Sequence, residues 1–171
     1  MSGIRPLPYE EARRRVSELA AVLVDCVAGG ASVSFMAGYS QGAAEGFFSR
    51  VAESVGAGGR VLFAAFADGR LVGTAQLVTD VQPNQLHRAD VAKMLVHRSA
   101  RGLGLGKALL AAVEAEARAQ GKTLLTLDTM SGSVAEKMYS AAGYVKAGII
   151  PDYAAFPDGS LGPTTFFYKA I

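Results

Sequence analysis

The spacing of apolar residues predicts helices in the first third of the chain. Apolar side chains recur there every three or four positions, which places them on one face of a helix. The pattern predicts a short strand at residues 4–7, one helix from Pro8 to Gly29, and a second helix that begins after Ser40. Ser40 is a typical N-cap residue, and glycines follow both predicted helices.

The middle of the chain changes to the short, partly β-branched runs that are typical of strands. Residues 61–66 and 71–78 flank the pair Asp68-Gly69, which favours a tight hairpin turn. Residues 89–97 form the next run. Three consecutive antiparallel strands are the simplest arrangement of these segments.

From Gly104 the pattern alternates between helix and strand. A helix from Gly104 to Gly121 is followed by a strand at residues 123–127. With the strand before it, this helix predicts a right-handed crossover between parallel neighbours. Ser133 and Glu136 have the spacing of a capping box, which predicts a fourth helix.

Two closing strands, at residues 144–149 and 164–169, complete the predicted fold. The element order is β-α-α-β-β-β-α-β-α-β-β, which predicts an α/β fold with one mixed, mostly antiparallel sheet of about seven strands and four helices. A chain of 171 residues, 50% of them hydrophobic, provides one sizeable core and is short for two domains. We therefore expect residues 1–171 to form a single domain.

Charge and cysteine content argue against several functions. The formal net charge is +2, and the longest basic run, Arg13-Arg14-Arg15, has glutamates beside it, so we expect no nucleic-acid partner. The single cysteine, Cys26, is expected as a small buried apolar side chain. The residues contain no cluster with metal-ligand spacing, so no metal is expected. No stretch resembles a signal peptide or a membrane span, which predicts a cytoplasmic protein without a membrane partner.

Residues 96–107 carry the most chemical information, because a strand leads there through several glycines into a helix. Glycines let an anion approach the backbone N–H groups closely, and the first turn of a helix adds a partial positive charge. Arg101 and Lys107 strengthen the preference for a negatively charged ligand. The segment therefore predicts a phosphate or pyrophosphate site.

The spacing of the glycines decides between the known phosphate-binding patterns. A dinucleotide fingerprint beginning at Gly102 would need a glycine at Lys107, and a P-loop would need Ser or Thr at Ala108. The remaining pattern, Arg101-x-x-Gly104-x-Gly106, resembles the acetyl-CoA pyrophosphate loop of the GNAT acetyltransferase superfamily. The predicted element order matches that family over nearly the whole chain.

The resemblance implies that acetyl-CoA is the co-substrate. It implies that the strand before the turn holds the pantetheine arm and that the turn holds the pyrophosphate. The cofactor-binding residues implied in this way are Met94, Leu95, Val96, Arg101, Gly102, Leu103, Gly104, Leu105, Gly106, Lys107 and Ser133. The chain departs from the family at Arg98, where proline is common, and at residues 131–133, where asparagine often stands. The sequence leaves open whether Ser133 replaces that asparagine.

Four short segments are most similar to the tabtoxin-resistance acetyltransferases within this family. They are residues 29–33, 127–129, 132–136 and 157–159. The similarity implies an enzyme that acetylates an amino group of a small molecule such as a β-lactam toxin or antibiotic. Two alternatives stay open. One is another amine acceptor, namely an amino acid, a polyamine or a protein N-terminus, and the other is a non-catalytic module that binds acyl-CoA.

Two residues are candidates for the catalytic steps that the resemblance implies. Tyr139 lies where the family commonly places a tyrosine near the cofactor sulfur, and it would act as general acid towards the leaving thiolate. Its alternative role is packing against the sheet. Asp128 is the candidate base, or it orients the amine or caps the loop at residues 129–132. By the same resemblance, a backbone N–H near Leu95 stabilises the oxyanion.

The acceptor amine is expected between two loops. Residues 31–36 would contribute Ser32 and Phe35, and residues 151–163 would contribute Asp152. In the second loop Asp158 is expected to serve the turn. Homodimers are common in the family, and the sequence does not decide between monomer and dimer.

Two further titratable residues flank the strand at residues 89–97 and are not first candidates for catalysis. Asp90 is expected to pair with Arg88 or to titrate in the site, and His97 is expected to titrate there or to face solvent.

Overall fold

The computed structural model describes residues 3–171, which form one seven-stranded sheet with helices on both faces. The strands are β1 (Gly3–Pro6), β2 (Arg60–Ala67), β3 (Arg70–Val78), β4 (Arg88–Val96), β5 (Leu124–Met130), β6 (Val145–Ala155) and β7 (Leu161–Ala170). The helices are α1 (Tyr9–Arg14), α2 (Val16–Ala28), α3 (Gln41–Gly56), α4 (Leu105–Ala119) and α5 (Val134–Ala141).

The strand order in the sheet is β1-β2-β3-β4-β5-β7-β6, and only the β4–β5 pair is parallel. The predicted antiparallel run of β2, β3 and β4 is confirmed, and so is the crossover through α4 to a parallel β5. Asp68 and Gly69 form the hairpin turn with positive φ at both positions. The predicted α/β fold with one mixed, mostly antiparallel sheet is therefore confirmed.

The first predicted helix is two helices, so the prediction of four helices was wrong by one. The break falls at Arg15, whose φ and ψ of −101° and 12° leave the helical region. The apolar spacing continues through the break, so the pattern of apolar residues does not reveal it. Arg15 pairs with Glu11 on α1 and with Glu18 on α2.

The second correction concerns the end of the chain. Most of the predicted loop at residues 151–163 is strand, because β6 and β7 extend towards each other and leave only a short tip at residues 156–160. Pro151 is compatible with a strand here because β6 is at the edge of the sheet. An irregularity between Ile150 and Ala154 absorbs the extra residues.

Two hydrophobic cores lie on opposite faces of the sheet. Helices α1, α2 and α3 cover one face, where Phe48, Leu23 and Leu62 are fully buried. Helices α4 and α5 cover the other face, where Leu109, Leu125 and other apolar residues pack. The two cores hold β4 firmly in the middle of the sheet.

Strands β4 and β5 separate along their length, and this separation creates the space for a ligand. Their parallel pairing covers only Arg88–Asp90 against Leu124–Thr126. Beyond it, β4 carries a bulge at Lys93, whose φ is +49°, and the pairing with β3 shifts register there. Backbone that would otherwise pair with β5 therefore faces an open cleft.

Candidate active site

A cavity of about 790 Å³ occupies the cleft between β4 and β5. Its walls come from four segments: the end of α2 with the loop after it, the second half of β4, the glycine-rich turn with the start of α4, and the end of β5 with one face of α5. One cavity thus joins the predicted pyrophosphate turn to the predicted catalytic residues.

The glycine-rich turn has the backbone conformation that the sequence predicts. Gly102 and Gly104 have φ of +82° and +76°, a region that side chains disfavour, and Gly104 directly precedes α4. The first N–H groups of α4 have no acceptor within the helix, so they are available to an anion. Arg101 and Lys107 line the same end of the cavity, and Arg101 Nε lies 3.3 Å from the Val96 carbonyl oxygen.

Asp25 on α2 fastens the start of this turn. Its carboxylate accepts hydrogen bonds from the Arg98 backbone N–H at 2.8 Å and from Arg98 Nε at 2.9 Å. Burial opposes ionisation of Asp25, but the bonds from Arg98 outweigh it and lower the pKa of the carboxyl. Gly29 leaves room for this arrangement, because a Cβ there would lie 2.9 Å from Arg98 Cδ. Arg98, which stands where proline is common in the family, is thus held in place by Asp25.

His97 also belongs to this anchor. Its Nε2 lies 3.5 Å from Asp25, and its Nδ1 accepts a hydrogen bond from the Ser99 N–H. It is not among the residues lining the cavity.

Most of the predicted cofactor-binding residues line the cavity. They are Met94, Leu95, Val96, Arg101, Gly102, Gly104, Leu105, Gly106, Lys107 and Ser133. Leu103 is the exception, because its side chain is 65% exposed and does not contribute to the cavity wall.

Ser133 caps α5, as predicted, by accepting a hydrogen bond from the Glu136 N–H. Glu136 forms the second hydrogen bond of the capping box, but its carboxylate accepts from the N–H of Gly132, the residue before Ser133. A hydrogen bond from Lys146, together with those from Gly132 and Thr165, lowers the pKa of Glu136 to about 2. Glu136 is therefore ionised and serves the helix start.

Tyr139 lies on the inner face of α5, where it both packs against other aromatic residues and lines the cavity. Its ring is 5% exposed and packs against Tyr144 and Phe167. It also lines the cavity. Burial raises the pKa of Tyr139 above its ordinary value, and the charge of Asp128 raises it further. The phenol is therefore protonated at neutral pH and can donate a hydrogen bond into the cavity.

Asp128 lies in the second half of β5, two residues before its end, and lines the cavity. Asp128 is exposed to solvent within the cleft, but desolvation by the surrounding walls still raises its pKa, and the positive charge of Lys93 only partly opposes that effect. The loop after β5 has other partners: Ser131 N–H bonds to the Pro163 carbonyl and Gly132 N–H to Glu136. Asp128 is thus placed for proton acceptance or amine binding.

Lys93 is a cavity residue that the sequence reasoning missed. Its Nζ donates to the Val33 carbonyl at 3.0 Å and to Ser34 Oγ at 3.1 Å, and it lies 5.4 Å from the centre of the Phe35 ring. Burial lowers the pKa of Lys93, while Asp128 acts in the opposite direction. The available signal was a single charge inside the apolar run at residues 91–96.

The predicted acceptor residues are only partly brought together. Ser32 lines the cavity. Phe35 is not a wall residue, because it packs on Tyr39 and Phe47 with ring centres 4.4 and 5.2 Å away. Asp152 lies on the exposed edge strand β6 at a bulge with φ of +49°, outside the cavity lining.

The tip between β6 and β7 reaches the acceptor loop through backbone. Ala37 N–H donates to the Pro157 carbonyl at 2.8 Å. Asp158 holds the tip by accepting from the Ser160 N–H and hydroxyl, as expected for a turn residue.

Two other candidate groups have structural partners. Asp90 pairs with Arg88 and accepts from the Thr126 hydroxyl, which confirms the expected ion pair. Cys26 lines the cavity, but it is 2% exposed and donates to the Val96 carbonyl. Burial raises the pKa of its thiol, so Cys26 is a poor nucleophile.

Across residues 3–171, no group of three or more His, Cys, Asp and Glu side chains is arranged to hold a metal ion. Within the same residues, no helix has both the length and the apolar character needed to cross a membrane.

Comparison with known proteins identifies the family. Residues 19–144 match the model of the acetyltransferase (GNAT) family, and the chain belongs to that family. A curated relative is an uncharacterized N-acetyltransferase from the hisH-hisA intergenic region of Azospirillum brasilense, which is 44% identical over 71 residues. That match spans 40% of this chain and 42% of the relative.

Solved structures show the same fold at low sequence identity. A ribosomal-protein-alanine N-acetyltransferase from Brucella melitensis has a TM-score of 0.81 at 20% identity, covering 99% of both chains. A putative acetyltransferase from Salmonella typhimurium, solved with acetyl-CoA, has a TM-score of 0.80 at 17% identity, covering 99% of this chain and 94% of its own. A phosphinothricin acetyltransferase from Sinorhizobium meliloti, also with acetyl-CoA, has a TM-score of 0.79 at 17% identity, covering 99% of this chain and 88% of its own.

Proposed function

We propose that this protein is an N-acetyltransferase that moves an acetyl group directly from acetyl-CoA to an amino group of a small molecule. The observation that carries the proposal is the single cavity in which the glycine-rich turn, Tyr139 and Asp128 meet. Family membership and neighbours solved with acetyl-CoA support the choice of co-substrate. Because acetyl-CoA is a cytoplasmic metabolite, the proposal includes a cytoplasmic location.

In the proposed reaction Asp128 accepts a proton from the ammonium group of the acceptor, directly or through a water. The amine nitrogen then forms a bond to the thioester carbon, and a backbone N–H near Leu95 stabilises the oxyanion. The carbon–sulfur bond breaks, Tyr139 gives its proton to the departing sulfur, and the acetylated nitrogen loses its second proton to solvent. Proton exchange with solvent restores both side chains, so no covalent enzyme intermediate forms.

The surroundings of Asp128 and Tyr139 support these roles. Desolvation raises the pKa of Asp128, which makes it a better proton acceptor than an ordinary carboxylate. The pKa of Tyr139 is also raised, so its proton is present at neutral pH when the thiolate leaves.

The more specific part of the proposal is a β-lactam toxin or antibiotic as the acceptor. It rests on the four segments that are similar to the tabtoxin-resistance enzymes, among them residues 127–129, which include Asp128. The fold neighbour from Sinorhizobium meliloti is named as a phosphinothricin acetyltransferase, which supports a small-molecule acceptor.

The test is CoA release from acetyl-CoA across a panel of amines that includes tabtoxinine-β-lactam, with the wild type and with Tyr139→Phe. Selective release with the β-lactam that is lost in the variant supports both the acceptor and the acid. Release with another amine supports the acetyltransferase activity and rejects the β-lactam as the acceptor. Binding of acetyl-CoA without release for any amine rejects the enzyme in favour of a non-catalytic acyl-CoA-binding module. Light scattering on the same samples decides between monomer and homodimer.

A further inference from the structure

Two opposite charges line the acceptor end of the cavity. Lys93 projects from the bulge of β4, and Asp128 lies near the carboxyl end of the neighbouring β5. Among the residues that the structure describes, neither side chain is in a salt bridge. Nearby charges are already compensated, since Asp90 pairs with Arg88, and Asp25 pairs with Arg98. At this end of the cavity, Lys93 and Asp128 are therefore the charges left for a ligand, while Arg101 and Lys107 lie at the other end.

Hydrogen bonds to neutral groups fix the position of the Lys93 ammonium. The Val33 carbonyl and Ser34 Oγ take two of its donors and leave the third. These acceptors orient the cation without neutralising it. The Phe35 ring, 5.4 Å away, covers one side.

The surroundings of Lys93 and Asp128 favour a ligand that carries charges of its own. Desolvation by the cavity walls lowers the pKa of Lys93 and raises that of Asp128, although Asp128 is exposed, so the walls disfavour both charged forms. Arg60 adds to the positive potential at Lys93. An anion beside Lys93 and a cation beside Asp128 would each supply the missing partner.

We propose that the acceptor is a zwitterion, whose amino group binds at Asp128 and whose carboxylate binds at Lys93. This inference rests on the proposed transfer reaction and adds a specificity-determining residue to it. It makes an amino acid, or a toxin or antibiotic that retains an amino acid's amine and carboxylate, the preferred acceptor. Polyamines and amines without an acidic group are expected to be poor acceptors, because nothing in them pairs with Lys93.

The experiment compares amines that differ only in the carboxylate. The pairs are L-lysine with cadaverine, L-histidine with histamine, L-phenylalanine with phenethylamine, and γ-aminobutyrate with propylamine. The last pair changes the spacing between amine and carboxylate. CoA release gives kcat/KM for each, and the ratio within a pair measures the contribution of the carboxylate.

The variants isolate the charge at position 93. Lys93→Met keeps an unbranched side chain at the positive φ, Lys93→Arg keeps the charge, and Lys137→Met removes a lysine from the exposed face of α5 outside the cavity lining. For at least one pair we expect a wild-type ratio of about tenfold or more in favour of the amino acid. Lys93→Met is expected to reduce this ratio to about one, because it lowers kcat/KM for the amino acid more than for the decarboxylated amine. Lys93→Arg should retain part of the preference, and Lys137→Met all of it.

Several outcomes overturn the proposal. Equal turnover within every pair, or a preference that survives in Lys93→Met, shows that Lys93 does not bind a carboxylate. If none of these amines is acetylated, calorimetric titration of the CoA-saturated protein with the amino acids tests the binding site instead. Binding of an amino acid that is lost in Lys93→Met supports the zwitterion site although the transfer reaction fails. If no amino acid binds, the inference is rejected.

Discussion

Gly106 at the start of α4 lies directly against Met138 on α5, and a Cβ at position 106 would be 3.2 Å from the Met138 sulfur. This contact joins the helix that would receive the pyrophosphate to the helix that carries Tyr139. The absence of a side chain at Gly106 therefore allows α4 and α5 to approach each other closely.

Gly106→Val is expected to weaken acetyl-CoA binding and lower kcat, because the added side chain pushes against α5. Overpacking of this kind costs about 1–3 kcal/mol. Calorimetric titration with acetyl-CoA measures the affinity. The double variant with Met138→Ala should recover part of the loss, and an unchanged dissociation constant for Gly106→Val would show that the contact has no role in binding.

Arg101→Ala is expected to raise the dissociation constant of acetyl-CoA by about tenfold or more. The proposed bond to pyrophosphate is charge-assisted and worth about 1.5–3 kcal/mol. Arg50→Ala on α3, outside the cavity lining, is the matched control and should bind like the wild type. An Arg101 variant with wild-type affinity would remove this residue from the pyrophosphate site.

Tyr139→Phe is expected to lower kcat by about a hundredfold or more while leaving acetyl-CoA affinity nearly unchanged. The hydroxyl acts mainly when negative charge develops on sulfur. Because burial raises the pKa of Tyr139 above its ordinary value, its ionisation should not appear in the rate profile between about pH 6 and 9. Stopped-flow or steady-state CoA release measures both effects, and a variant that keeps full turnover would assign Tyr139 to packing alone.

The pH dependence of kcat/KM tests Asp128. Activity should rise with pH as the carboxyl loses its proton, with a midpoint above about 4 because desolvation raises the pKa. Asp128→Asn should remove this acidic limb together with most of the activity. Lys93→Met should move the limb to higher pH, since it removes the positive charge that favours the carboxylate. A limb that is unmoved in both variants would reject Asp128 as the base.

Asp25→Asn should loosen the turn and reduce stability at neutral pH by about 1–2 kcal/mol. The pKa of Asp25 is lowered in the folded protein, so its contribution exists above the unfolded pKa near 3.9, roughly, and is lost as pH falls through the folded value. The difference in thermal stability between the variant and the wild type should therefore be smaller at about pH 3 than at pH 7. An equal separation at both pH values would mean that the carboxylate charge is not responsible.

The elements and the turn could be predicted because their causes are local. Ser40 and Ser133 cap helices through neighbouring N–H groups, and Asp68-Gly69 forms the hairpin. Where the prediction was wrong, the cause lay elsewhere in the molecule. The edge position of β6 lets the strand run through Pro151, and nothing in the apolar spacing marks the break at Arg15.

The sequence by itself determined the fold class and the position of the glycine-rich turn, because apolar periodicity and positive φ depend on residues adjacent in the chain. Only the tertiary structure decided which side chains share the cavity. Lys93 meets Ser34, 59 positions away, and faces Asp128 because β4 bulges where it leaves β5. Phe35 and Asp152 were excluded from the cavity wall by the packing of α3 and the extension of β6. Such distances are set by packing across the sheet, which the order of residues along the chain does not specify.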